Sequence, residues 1–136
     1  MNDVSLFVYG TISDPEFFEH LLLRKPVYRK ALLKNYEQYI NPTSGYLFVK
    51  PAQTKNVAGK LVKITKAELQ ILDLWEEIPF YDRQLLSVEC DGQIEQAFVY
   101  TQNNVNGIPI DGGKLKDPNT MLDDIKAFRK WIDGQL

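Results

Sequence analysis

The chain has one cysteine and one histidine among its 136 residues. A lone cysteine excludes an intrachain disulfide and leaves a structural zinc site without thiolate ligands. Cys90 lies in LLSVEC, a strand-like stretch, and reads as a small core or half-buried residue. His20 has no second histidine or acid pattern beside it, so it reads as a helix-surface or packing residue. Basic residues are not clustered. Sixteen Lys and Arg stand against 18 Asp and Glu, a net charge of −2. This argues against nucleic acid, whose phosphates require a concentrated basic surface. No stretch approaches the ~20 apolar residues of a membrane span. The opening MNDVSLFVYG lacks a basic n-region and an apolar run, so a cytoplasmic location and no membrane partner are expected.

Low-complexity tracts are also absent. With 44% hydrophobic and 25% charged residues, the composition is that of a globular protein. The length allows one sizeable core, and a single domain over residues 1–136 is expected.

Val4 to Tyr9 is apolar almost throughout, which suits a strand buried on both faces. It stops at Gly10, and after Thr11, Ile12 and Ser13 the pair Asp14-Pro15 supplies a cap and first-turn proline for a helix over PEFFEHLLL. Backbone N–H groups around Gly10 to Ile12 can converge there on a carboxylate or oxyanion. A glycine after a buried strand is also an ordinary turn. VYRKALLKNYEQYI reads as one strand with a turn near Asn35. Residues 41–45 form a turn cluster, GYLFVKPA a short strand or loop, and NVAGKLVKI a strand in which Gly59 suggests close backbone approach. Asp91-Gly92 between QLLSVEC and IEQAFVYT marks a hairpin. Gln102 to Thr120 is rich in glycine and proline and reads as an irregular segment over a pocket. A last helix places Leu122, Ile125, Phe128, Arg129 and Ile132 inward, with Asp123 and Asp124 on its outer side.

The middle of the chain holds a more informative stretch, KAELQILDLWEEIPFYDR. Thr65 and Glu68 form a capping-box pattern and Pro79 limits the helix. At about 100° per residue Leu69, Leu72 and Trp75 share a face with Ile71 at its edge, and Glu76 projects between Leu69 and Leu72, while Glu77 leaves the stripe. An inward carboxylate must be paired, hydrogen-bonded or protonated, and burial raises its proton affinity toward the range useful for proton transfer. A structural ion pair of Glu76 with Arg83 satisfies the same pattern.

About six strands and three helices, without a repeated strand–helix–strand unit, predict an α+β fold. Its mixed, mainly antiparallel sheet curls toward a small barrel, with the early helix permitting one parallel pairing.

LFVYGT at Leu6–Thr11, LDLWE at Leu72–Glu76 and YDR at Tyr81–Arg83 resemble the γ-glutamylcyclotransferase-like superfamily, in the branch that includes the plant avirulence-induced proteins and γ-glutamylamine cyclotransferase. By position, the resemblance implies Glu76 as the catalytic acid/base and Tyr9, Gly10, Thr11 and Ile12 as the substrate-binding loop. It further implies Tyr81, Arg83 and Tyr100 around the substrate, Arg83 orienting Glu76 or Tyr81 or forming a structural ion pair. Ile12 stands where leucine is usual, and Glu77 where glycine is frequent. The implied reaction turns a γ-glutamyl amine or γ-glutamyl amino acid into 5-oxoproline and a free amine, without metal or cofactor. Two alternatives remain: a non-catalytic small-molecule binder of the same fold, and an enzyme of that fold acting on another amide or amine conjugate.

Overall fold

The computed structural model describes residues 3–42, 44–76, 82–102, 107–109 and 116–135. Strand β1 (Val4–Val8) lies between two partners. It runs antiparallel to β3 (Leu47–Ile64), from Val4 opposite Ile64 to Val8 opposite Lys60. It runs parallel to β5 (Gln93–Thr101) at Leu6 and Phe98. Its apolar run is explained by burial on both faces. Phe7 points to one core with Leu33, Val49, Leu61 and Val99, whereas Leu6 and Val8 join another beneath the helices.

Strand β2 (Tyr28–Ile40) pairs with β3 along its whole length. The register passes from Lys34 opposite Asn56 to Tyr36 opposite Pro51, so Asn35 alone faces residues 52–55. Asn35 and Thr54 both take positive φ, 64° and 65°. The two segments expected on either side of residues 53–55 are therefore one strand carrying an enlarged bulge, because the ladder resumes beyond it.

Strand β4 (Asp82–Cys90) and β5 form the expected hairpin through Asp91 and Gly92, both at positive φ (53° and 76°). This is the geometry of a primed two-residue turn. Strand order β3-β1-β5-β4-β2 returns to β3 and closes a five-stranded mixed barrel. A short β6 (Ile108–Pro109) adds to β2 at Tyr39 and Ile40, giving regular structure within the segment read as irregular. Inside the barrel Cys90 is buried, as its setting suggested.

Helices α1 (Pro15–Leu22), α2 (Lys66–Trp75) and α3 (Pro118–Gln135) flank the barrel. No described helix is long and apolar enough to cross a membrane. Asp14 caps α1 by accepting from Glu16 N at 2.8 Å. On α3, Met121, Ile125 and Ile132 are buried, and Arg129 reaches Leu21 O at 3.2 Å. Asp124 does not lie on the outer side: it shares a face with Met121 and Phe128, three and four residues away, and bonds Tyr46 and Lys116.

The capping box of α2 is complete. Glu68 N donates to Thr65 Oγ1 at 3.1 Å and Thr65 N to Glu68 Oε1 at 2.9 Å. Glu68 also takes a two-pronged bond from Arg24 at 2.7 and 2.8 Å. Burial pushes the Glu68 carboxyl up, but the Arg24 and Thr65 bonds outweigh it and hold it below the usual range. A depressed folded pKa gives stability that is complete above the unfolded value of about 4.3 and lost as pH falls through the folded one. Glu68→Gln, which keeps a capping side chain but not the charge, is expected to cost about 1 kcal/mol near neutral pH. That difference should begin to close as pH falls below about 4.3 and disappear only beneath the folded value. Urea midpoints in the two conditions check the sign.

Candidate active site

Because β1 and β5 are parallel, their carboxyl ends open on the same side of the barrel. The C-terminus of α2, the start of β3 and part of α3 converge there around a cavity of about 720 Å³. Tyr9, Gly10, Thr11, Ile12, Glu76 and Tyr100 all border it.

The turn after β1 is held by its carbonyls. Tyr9 O accepts from Gln38 Nε2 at 3.0 Å. Gly10 O accepts from Ser13 N at 3.0 Å and Ser13 Oγ at 2.5 Å. Thr11 O accepts from Asp14 N at 3.2 Å, and Ile12 O from Tyr28 Oη at 2.5 Å. Residues Thr11–Ser13 form a single 3₁₀ turn, whose first N–H groups have no acceptor within the turn itself. The Ile12 side chain is buried, so the departure from leucine leaves an apolar anchor in place. Tyr9 Oη donates to Tyr100 O at 2.6 Å and ties this turn to the end of β5.

Glu76 is the C-terminal cap residue of α2 (φ −77°, ψ −5°), its N–H bonded to Leu72 O at 2.8 Å. It is half-buried at the helix end rather than enclosed between Leu69 and Leu72, both of which are buried. Periodicity placed it on the inward side; the end of the helix turns that side toward the cavity. Trp75 stands edge-on between two rings, 6.0 Å from Tyr46 and 5.4 Å from Phe128. The Tyr100 hydroxyl is pushed well up by burial, then by its bond to Asp73 and the charge of Asp73, and further by Glu76. Tyr46 is raised in the same way, by burial, by Asp124 and by Glu76. The Glu76 charge is thus felt on two walls of the cavity.

Arg83 forms an ion pair with Asp73 and, among the described residues, is not one that borders the cavity. The other Asp73 oxygen accepts from Tyr100 Oη at 2.7 Å. Asp73 lies three residues before Glu76, on nearly the same side of the helix. Tyr81, Glu77 and Pro79 lie outside the described residues.

A second polar group was not anticipated from sequence. Asp124 accepts from Tyr46 Oη at 2.9 Å and Lys116 Nζ at 2.7 Å, and the Lys116 ammonium lies 4.8 Å over the Tyr46 ring. Burial pushes the Asp124 carboxyl up, but these two partners hold it below the usual range. Asn41 Nδ2 bonds the buried Gln102 at 3.1 Å on the same cavity. These residues come from four separated segments, so no local pattern announces them. Asp73 alone had a signal, as the acid within LDLWE.

Residues 6–119 match the model of the family described as gamma-glutamyl cyclotransferase, AIG2-like. The chain belongs to this family. It is 35% identical over 97 residues to AIG2-like protein C of Arabidopsis thaliana, an alignment covering 71% of this chain and 56% of that protein. The chain therefore spans little more than half the length of that relative. A solution structure from Arabidopsis thaliana superposes with a TM-score of 0.70 at 21% identity, covering 99% of this chain and 94% of the other. A solved structure described as gamma-glutamyl cyclotransferase gives 0.71 at 16% identity, covering 93% and 99%. At these identities the likeness establishes the fold. Tyr9–Thr11 and Leu74–Glu76, far apart in the chain, meet at this cavity.

Proposed function

We propose that the protein is a cyclotransferase that converts a γ-glutamyl amine or γ-glutamyl amino acid to 5-oxoproline and a free amine. The observation that carries this is the meeting of Glu76 and the Tyr9–Ile12 turn on one cavity. Its volume, about 720 Å³, suits a ligand of small-peptide size.

In the reaction the α-amine nitrogen of the substrate attacks its own side-chain carbonyl carbon. A carbon–nitrogen bond closes the five-membered ring, and the original amide bond breaks. The attacking nitrogen loses a proton and the leaving nitrogen gains one. Glu76 takes the first and delivers the second, so one carboxylate serves both steps and no net proton is consumed. N–H groups of Gly10, Thr11 and Ile12 bind the substrate α-carboxylate or the oxyanion formed at the carbonyl. Anchoring of the four turn carbonyls supports this role, since the turn then needs no rearrangement as charge develops. Holding the substrate folded supplies much of the rate, because ring closure is already intramolecular. Tyr100 and the aromatic wall shape the space for the leaving group.

The test is incubation with a panel of γ-glutamyl amines, γ-glutamyl amino acids and glutathione, with 5-oxoproline and released amine followed by mass spectrometry. Equal amounts of both products from at least one panel member are expected. Binding of a panel member without product would replace this function with that of a non-catalytic binder.

A further inference from the structure

We propose that Asp73 is a positioning residue for Glu76, acting through a clamp formed with Arg83 and Tyr100. Glu76 caps the C-terminus of α2, where the last carbonyls have no partner within the helix and a helix frays most easily. A proton-transfer group needs its position fixed to about 0.5 Å. Asp73 lies in the final turn, three residues earlier, and so emerges within about 60° of Glu76 around the helix axis. One of its oxygens accepts from Tyr100 Oη at 2.7 Å and the other pairs with Arg83.

Those two partners are direct neighbours across the hairpin, Arg83 of β4 opposite Tyr100 of β5. Arg83 is itself braced with its guanidinium 5.0 Å from the centre of the Phe98 ring. Asp73 therefore fastens the end of α2 to two paired strands at once, with charge-assisted bonds of restricted geometry. Tyr100 extends the connection to the other half of the site. Its hydroxyl is committed to Asp73 while its carbonyl accepts from Tyr9 Oη at 2.6 Å. The chain of contacts Arg83, Asp73, Tyr100, Tyr9 thus sets the distance between Glu76 and the N–H groups of the Gly10 turn. Arg83 acts one step behind the cavity.

This assignment rests on Glu76 having the proton-handling role proposed above. Asp73→Asn should lower kcat about 10- to 100-fold while KM changes less than about threefold, because the cavity wall stays and only the geometry of proton transfer relaxes. Arg83→Gln, which leaves the cavity lining untouched, should give the same split and carries the test should Asp73→Asn fold poorly. Since both remove one connection, the double variant should lose little beyond the worse single one. An active wild type with either folded variant retaining its kcat, or losing through KM instead, would overturn the clamp alone. A wild type that forms no 5-oxoproline would overturn the function proposed above and the clamp with it.

Discussion

Glu76→Gln is expected to fold normally and to lose turnover by about 100-fold or more. Glutamine has nearly the same shape, and at a half-buried helix end it keeps hydrogen-bonding ability while losing the basic oxygen. The effect should therefore fall on kcat, with the melting temperature nearly unchanged. Glu77→Gln, from the neighbouring acid expected to point away, should retain most activity. Equal losses in the two variants would refute the distinction drawn between them.

Gly59→Ala should be among the most damaging single-methyl additions in the chain, costing about 3 kcal/mol. A Cβ at this position would stand 2.5 Å from Val8 O and 2.6 Å from the Phe7 ring. Neither neighbour can yield easily. Val8 O belongs to the backbone of a strand paired on both sides, and Phe7 is buried in the barrel interior. Any retreat of Val8 also displaces the adjoining Tyr9 and the turn that begins there. The urea midpoint should fall with an unchanged denaturant slope, and residual folded protein should turn over more slowly. A cost below about 0.5 kcal/mol would mean that β1 is not seated as tightly against β3 as described.

Much of the fold was legible because its signals are local. The almost wholly apolar run of Val4–Tyr9 announced a strand covered on both faces, and Phe7 and Leu6 indeed enter separate cores. Asp14-Pro15, the Thr65 and Glu68 box and Asp91-Gly92 each marked a boundary through bonds or dihedral angles confined to a few residues. The long β2–β3 pairing was only half visible, since a bulge that interrupts the apolar alternation looks like a loop until the partner strand is present. Barrel closure between β2 and β4 rests on residues such as Leu32 and Glu89, far apart in sequence, and no local pattern encodes it.

The same division holds at the cavity. Helical periodicity brought Glu76 to the correct side of α2, but it carried no information on which anion Arg83 would choose. Asp73 is that anion because the register of β4 against β5 sets Arg83 beside Tyr100. Asp124 was misplaced for a related reason. Acids near a helix start are favourable on any face, so its charge suggested solvent, whereas Tyr46, just before β3, and Lys116, just before α3, meet it.

The most direct measurement is the reaction of a γ-glutamyl compound in heavy-oxygen water, with products resolved by mass. Attack by the substrate's own amine brings no oxygen from solvent, so wild type should yield unlabelled 5-oxoproline and an equal amount of amine, and Glu76→Gln should yield almost none. Labelled glutamate in place of 5-oxoproline would mean that water is the nucleophile, and would contradict cyclisation at this site.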